Sequence, residues 1–349
     1  MKHSWTKQCG AIGRGTHAGV YLALPVAAGD DSSPIAVKSV DVNSAENLLR
    51  EARILRQLRG SPYVIHCFGE DVSAAADPHD GGWRDFNLLL EYAPAGSLGS
   101  LIRPGYDGTT LIQKSDVSFY AYQILMGLSH VHEKGFVHND LKPENILAFP
   151  AADGGRLFRL KLADFGVSTL AGKKDVTYYD DDEEEEDEEE EEPFCPHHCR
   201  GSLFYASPEY LATGKHNTGD DIWALGCIVL EMLTGEPAWL CRDSNDLIDQ
   251  ILYEKPGIPE EVPATARDFL SKCFLKREPW GEERWTARKL LKHPFVRDNK
   301  DVAACLAPME IGFEDGKMNP FLGCEEEEDD DDDEQWVSTE DLFLPFRSY

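Results

Sequence analysis

The sequence predicts an α+β chain in two lobes: a small, mostly β N-terminal lobe with one helix, and a larger, mostly α C-terminal lobe. Two observations predict it. Strand-like runs dominate up to residue 92, and helical periodicity takes over beyond Ala93. The length, 349 residues, is enough for two lobes with a sizeable core.

Hydrophobic content of 42% is ordinary, but the net charge of −30 is not. Asp180–Glu192 is an unbroken run of 13 acidic residues and Glu325–Glu334 one of 10. Together they carry −23, which leaves −7 for the other 326 residues. A mildly acidic folded part argues against binding to nucleic acid or anionic membranes. The nine cysteines are scattered, odd in number and partly in apolar runs, and the chain opens without a signal-peptide pattern. They read as reduced thiols of an intracellular protein. No apolar stretch reaches the ~18 residues of a membrane span.

The first strand-like stretch is 9–24, C-G-A-I-G-R-G-T-H-A-G-V-Y-L-A-L. Gly13 and Gly15 let backbone N–H groups approach phosphate oxygens with no Cβ in the way, although a plain hairpin reads equally well. Ala18 stands where a G-x-G-x-x-G pattern has its third glycine. No Lys-Ser/Thr follows, which disfavours a P-loop. Ile35–Val40 is a short strand carrying Lys38. Residues 44–59 form an amphipathic helix with Leu48, Leu49, Ala52, Leu55 and Leu58 at helical spacing and Ser44 as N-cap. Glu51 lies at the margin of that stripe. It can pair with Arg50 or Arg53 at the surface or meet Lys38 across the fold. Strands follow at 63–69 and 86–92 around a loop, and Ala93-Pro94-Ala95-Gly96 marks a hinge. We place the lobe boundary there, with residues 5–93 before it and 94–296 after it.

A largely buried helix spans 115–134, capped at Ser115. Val137–Leu147 then reads V-H-N-D-L-K-P-E-N-I-L. Phosphoryl transfer needs a carboxylate to orient a hydroxyl and take its proton, an ammonium for the transferring phosphate, and an amide oxygen for Mg²⁺. Asp140, Lys142 and Asn145 supply those types, and Pro143 stiffens the loop. Leu160–Gly166 is a strand ending in D-F-G. A second buried helix covers 219–235, and shorter helices cover 244–253, 263–276 and 286–292. Beyond about residue 300 the sequence is linker and acidic tail.

In this order the motifs resemble those of eukaryotic protein kinases, from about Trp5 to Val296. Gly13-x-Gly15, Lys38 in I-A-V-K, Glu51, His138-Asn139-Asp140, Asp164-Phe165-Gly166, Ser207-Pro208-Glu209 and Asp221-Ile222-Trp223 all find counterparts. The resemblance implies the bilobal protein kinase fold and ATP- and Mg²⁺-dependent phosphorylation. In it Asp140, Lys142, Lys38 and Glu51 are catalytic, and Asn145 and Asp164 hold Mg²⁺. It implies a nucleotide site of Ile12, Gly13, Gly15, Val20, Ala36, Lys38 and Leu147. Leu90 is its gatekeeper and Glu91 to Ala93 its hinge strip. It also implies that Leu55, His138 and Phe165 stack between the lobes and that Glu209 pairs with Arg284. Lys142 two residues after Asp140, with Gly201-Ser202, resembles serine/threonine kinases. The hinge string L-L-L-E-Y-A-P-A-G-S-L, with D-I-W-A-L-G-C-I-V-L-E-M-L-T-G-E-P-A-W, resembles the MAP kinase kinase kinase group, especially its plant members. That implies a MAP kinase kinase as protein substrate, a monomeric kinase domain, and a cytoplasmic location with the nucleus as a second compartment. The alternative is a pseudokinase scaffold; Lys38, Asp140, Asn145 and Asp164 are the residues such a protein tends to lose.

Three features depart from the pattern. Asn139 replaces the Arg that in regulated kinases grips an activation-loop phosphate, and an amide offers no charged, bidentate grip. The segment from Asp164 to Glu209 is long, 46 residues, and holds the first acidic run. That run is a solvated insert, or it attracts a basic substrate segment, or it folds back on Lys and Arg as a brake. Cys195-Pro196-His197-His198-Cys199 is too crowded for one closed tetrahedral cage and reads as a loop rather than a zinc site. Ser168, Thr169, Thr177 and Tyr178 read as accessible hydroxyls. The acidic tail with Trp336, Phe343 and Leu344 reads as solubilising, with partner docking as the alternative.

Overall fold

A computed structural model describes residues 5–14, 18–25, 33–74, 84–103, 110–151, 155–172, 201–276 and 283–298. The N-terminal part is a five-stranded antiparallel sheet of order β1-β2-β3-β5-β4. Its strands are β1 (Trp5–Arg14), β2 (Gly19–Pro25), β3 (Ile35–Asp41), β4 (Cys67–Ala74) and β5 (Arg84–Glu91). β3 lies centrally and reads I-A-V-K-S-V, β-branched and almost continuously apolar, as a strand buried on both faces must be. Helix α1 (Glu46–Gln57) lays Leu48, Ala52 and Leu55 on the sheet at one helical face, with Ile54 alongside. Glu51 shares that buried face.

Three boundaries differ from the sequence reading, each for a local reason. Ser44 does not cap α1. Asp41 Oδ1 accepts from Asn43 N–H and caps a 3₁₀ turn, Val42–Ser44, so the helix starts one residue later behind Ala45. Ser115 likewise sits inside a 3₁₀ turn, Lys114–Asp116, ahead of α3 (Val117–Glu133). Residues 63–66 are not strand. The backbone of 63–65 is committed elsewhere: Leu162 N–H donates to Tyr63 O and Ile65 N–H to Leu162 O, both at 2.8 Å. β4 therefore begins at Cys67 and runs on into the stretch expected to be loop.

After β5 the chain turns helical at α2 (Leu98–Ile102) and α3. Two small antiparallel pairs follow, which the sequence reading did not separate: β6 (Phe136–Val137) with β9 (Thr169–Leu170), and β7 (Ile146–Pro150) with β8 (Phe158–Leu162). β8 stops at Leu162, so D-F-G lies beyond the strand; Asp164 is left-handed, at φ +63°. The rest is helical: α4 (Pro208–Thr213), α5 (Thr218–Thr234), α6 (Ser244–Tyr253), α7 (Ala264–Cys273), α8 (Ala287–Leu290) and α9 (Pro294–Arg297).

α5 is the axis of this half. Thirteen of its residues are buried, with Trp223 wholly enclosed. A helix apolar on all sides belongs in a core. Glu209 of α4 pairs with Arg284 through both carboxylate oxygens, at 2.9 and 3.0 Å, and the guanidinium also lies over the Trp223 ring. Cys67, Cys227, Cys241 and Cys273 are free thiols. Among the described residues no helix is long and apolar enough to cross a membrane.

Gly127 of α3 shows how tightly the parts meet. A Cβ there would lie 2.9 Å from Leu162 Cδ1 and 2.9 Å from the backbone Tyr63 O. Gly127→Ala should lower stability by about 1–3 kcal/mol despite alanine's better helix propensity. Denaturant unfolding checks this. An unchanged or raised midpoint would show that these elements can part freely.

Candidate active site

The site is built outward from the N-terminus of α5. Asn217 and Asp220 close a capping box there, so the first turn is fixed. The next residue, Asp221, is 1% exposed. Its Oδ2 accepts from His138 N–H at 2.9 Å and lies 2.8 Å from His132 Nε2, while Oδ1 accepts from Asn139 N–H at 3.2 Å. Burial raises such a carboxyl's pKa, but the bonds and charges of His132 and His138 outweigh it and hold Asp221 below its ordinary value. One buried carboxylate thus pins the loop that follows β6.

In that loop Asn139 is left-handed, at φ +67°. Asn tolerates this region better than almost any non-glycine residue. The turn presents Asp140. Its Oδ2 accepts from Lys142 Nζ at 2.6 Å and Asn145 Nδ2 at 2.9 Å, and its Oδ1 from Ser202 N–H at 2.8 Å. The last bond needs Gly201, at φ +84°, where a Cβ would sit 2.7 Å from Asn139 O. Position 201 therefore requires glycine twice over, for its backbone angle and for the close approach.

Lys38 on β3 bridges the two halves. Its ammonium donates to Glu51 Oε2 at 2.6 Å and Asp164 Oδ1 at 2.8 Å. Burial alone would lower the Lys38 pKa, but the two carboxylates outweigh it and raise it above the ordinary lysine value. Burial raises that of Glu51 despite Lys38. For Asp164 the ammonium wins over burial, and the carboxyl is held low. Glu51 thus meets Lys38 rather than a surface arginine. Arg50, which the sequence offered as its surface partner, instead donates to Gly166 O at 2.6 Å.

Asp164 and Asn145 are suited to a hard cation. Asp164 stays ionised, and the Asn145 amide nitrogen is spent on Asp140 O at 2.8 Å and on Asp140 Oδ2, which leaves its oxygen as the available donor. The described residues contain no cluster of three or more His, Cys, Asp or Glu arranged as a metal cage. Mg²⁺ seldom needs one, since it keeps waters and substrate phosphates in its shell.

The sequence-predicted nucleotide residues converge nearby. Ala36 lies opposite Leu90 across β3 and β5, Val20 opposite Lys38, and Gly13 opposite Val20. Leu147 on β7 bridges to Ser97, just past the hinge. Val20, Leu90, Ala93 and Leu147 are half-buried, and Ile12 is exposed at the edge. Gly15 lies outside the described residues. The Glu91 carboxylate accepts from Lys161 Nζ, at 2.6 and 2.7 Å, and from His66 N–H at 2.6 Å, a hinge brace that the sequence reading missed. The His138 and Phe165 rings meet at 4.8 Å but are tilted by 51° rather than stacked, with Leu55 buried.

Ser168 corrects an expectation. It is buried, not accessible, and its hydroxyl donates to His138 O at 3.0 Å. Thr169 is half-buried. Thr177, Tyr178, the two acidic runs, Cys195–Cys199, Trp336, Phe343 and Leu344 lie outside the described residues. The missed contacts (Arg50 to Gly166, Lys161 to Glu91, Ser202 to Asp140) join positions far apart in the chain; only the glycine at 201 hinted at one of them.

Comparison with known proteins gives a family and relatives. The protein kinase domain matches residues 6–296. Mitogen-activated protein kinase kinase kinase 20 of Arabidopsis thaliana is 36% identical over 292 residues, covering 82% of this chain and 76% of the relative. Mitogen-activated protein kinase kinase kinase 17 of the same plant is 36% identical over 304 residues, covering 85% and 71%. Mitogen-activated protein kinase kinase kinase A of Dictyostelium discoideum is 29% identical over 304 residues, covering 83% of this chain and 28% of the relative.

Lys38→Met tests the charge cluster. It leaves Glu51 buried without its cation, so the Glu51 pKa rises further above its unfolded value. Stability is then retained below the unfolded carboxyl pKa and lost as pH rises through the folded one. The variant should be destabilised by about 3 kcal/mol at pH 8 and by less at pH 5. Urea unfolding at both pH values checks this; a pH-independent difference would contradict it.

Proposed function

We propose that this chain, which belongs to the protein kinase family, is a serine/threonine kinase of the MAP kinase kinase kinase group. In this reading it transfers the γ-phosphoryl of ATP to activation-loop hydroxyls of a MAP kinase kinase. The observation that carries the reading is the joint placement of Asp140, Lys142 and Asn145 in one pinned loop, with Asp164 in the same lobe joined to Lys38 and Glu51 of the other. Similarity to relatives named as MAP kinase kinase kinases supports the group and the substrate class.

The roles follow from the geometry. Asp140 orients the substrate hydroxyl and takes its proton as the oxygen attacks phosphorus and ADP leaves. Lys142, already 2.6 Å from Asp140, adds positive charge where the transferring group gathers negative charge. Lys38, fixed by Glu51, holds the α- and β-phosphates. Ile12, Gly13 and Gly15 cover the phosphates. Val20, Ala36 and Leu147 enclose the adenine, with Leu90 at the back and the Glu91–Ala93 backbone beside it. Asn145 and Asp164 hold Mg²⁺, which when bound neutralises phosphate charge. We place the boundary of the lobes at residues 93 and 94, with ATP between them. Free thiols suit the cytoplasm, the compartment we propose.

Asn139 sets the control of this activity apart. Lacking a cation at that position, the protein does not need a phosphate on its activation segment to be active. Phosphatase-treated protein should keep its activity toward a MAP kinase kinase substrate within about twofold, while Asp140→Asn should lose about 100-fold or more. A radiolabelled ATP assay reads both. Equal transfer by wild type and Asp140→Asn would remove the enzyme reading. A large loss on phosphatase treatment, mapped to a phosphate within 164–209, would remove the phosphate-independence alone.

A further inference from the structure

We propose that Asn139 and Arg50 together form a clamp on the last residue of D-F-G and the segment just after it, holding them in the active position by direct hydrogen bonds. The inference rests on the kinase reading and assigns two positioning residues for that reaction. Three observations carry it. Asn139 Nδ2 donates to Val167 O at 2.9 Å and to Thr169 Oγ1 at 3.0 Å. Arg50 donates to Gly166 O at 2.6 Å. Gly166 and Val167 are consecutive, so two neighbouring carbonyls are gripped by two different elements, one by helix α1 and one by the catalytic loop.

The strand pairing beside this join is short. β6 and β9 pair through only two residues on each strand, Phe136↔Leu170 and Val137↔Thr169. The Asn139 carboxamide continues that short ladder past its end, and the Ser168 hydroxyl bonds back to His138 O. Asp164, two residues before Gly166, is held left-handed at φ +63°. Such a backbone is unfavourable for a non-glycine residue and persists only where neighbouring contacts over-determine it. Lys38 holds the Asp164 carboxylate, and the clamp holds the backbone two and three residues on. A neutral amide suffices because its acceptors are a carbonyl and a hydroxyl already in place; a guanidinium with a phosphate would serve the same end at greater reach.

The expected effect falls on Asp164, whose carboxylate faces both Lys38 and the Mg²⁺ position. Asn139→Gly removes the carboxamide while keeping a residue that accepts φ +67° without strain, and so separates the bond from the backbone angle. Arg50→Met removes the second arm and keeps most of the side-chain bulk. In dephosphorylated full-length protein each variant should lower kcat about threefold to tenfold, the loss of one or two hydrogen bonds. Each should also raise the Mg²⁺ concentration needed for half-maximal rate, with little change in melting temperature.

Thr169→Val completes a double-mutant cycle. It should reduce kcat in the wild-type background and have no further effect in Asn139→Gly, because the two substitutions remove the same bond. Unchanged kcat and Mg²⁺ dependence in Asn139→Gly would overturn the proposal, and so would an equal cost of Thr169→Val in both backgrounds. If Asn139→Gly proves unstable, the Mg²⁺ dependence of Thr169→Val alone decides: a rise supports the clamp, and a wild-type value contradicts it. Transfer by the wild type that Asp140→Asn abolishes shows that the kinase reading holds whichever way the cycle falls.

Discussion

The site depends most on one buried carboxylate, Asp221, at the start of α5. Two consecutive backbone N–H groups and a histidine ring converge on it. Charged acceptors make the stronger hydrogen bonds, and the N-terminus of a helix favours a negative charge. The anchor is rigid because α5 is itself enclosed on all sides. What hangs from it is the left-handed Asn139, and from that turn the direction of Asp140. The catalytic loop is therefore held by the core, as a preorganised site requires.

A second constraint joins the halves. Lys38, Glu51 and Asp164 come from a strand, a helix and the post-β8 turn, and they meet where Glu51 is enclosed and Asp164 is partly open to solvent. The buried Glu51 charge is costly without its cation, which ties Lys38 to it. The cluster thus couples the position of α1 to that of D-F-G. Arg50 strengthens the coupling from the neighbouring helical position, so two successive side chains of α1 reach the same turn by different means.

Much of this was legible in the sequence where spacing is short. Asp140, Lys142 and Asn145 declare their chemistry because they share one loop, and the strand and helix periods gave the two-lobe order. Two kinds of feature were not legible. Local caps failed at Ser44 and Ser115, because 3₁₀ turns ahead of both helices occupy those serines. Long-range choices failed as well. Nothing in Y-V-I says that residues 63–65 spend their backbone on β8 rather than on the sheet, and nothing near Arg50 names a carbonyl 116 positions away. Asn139 was read as a lost cation; the structure shows it as a donor that is already employed.

The core, through Asp221, sets the geometry of phosphoryl transfer. Asp221→Asn tests it most directly, since the amide keeps the size but cannot accept from all three donors. Nucleotide affinity, measured by titration, and kcat should separate. Affinity should stay within about threefold while kcat falls about tenfold or more, since small misplacements of reacting groups are costly. Unchanged kcat, or a parallel loss of both, would contradict the account.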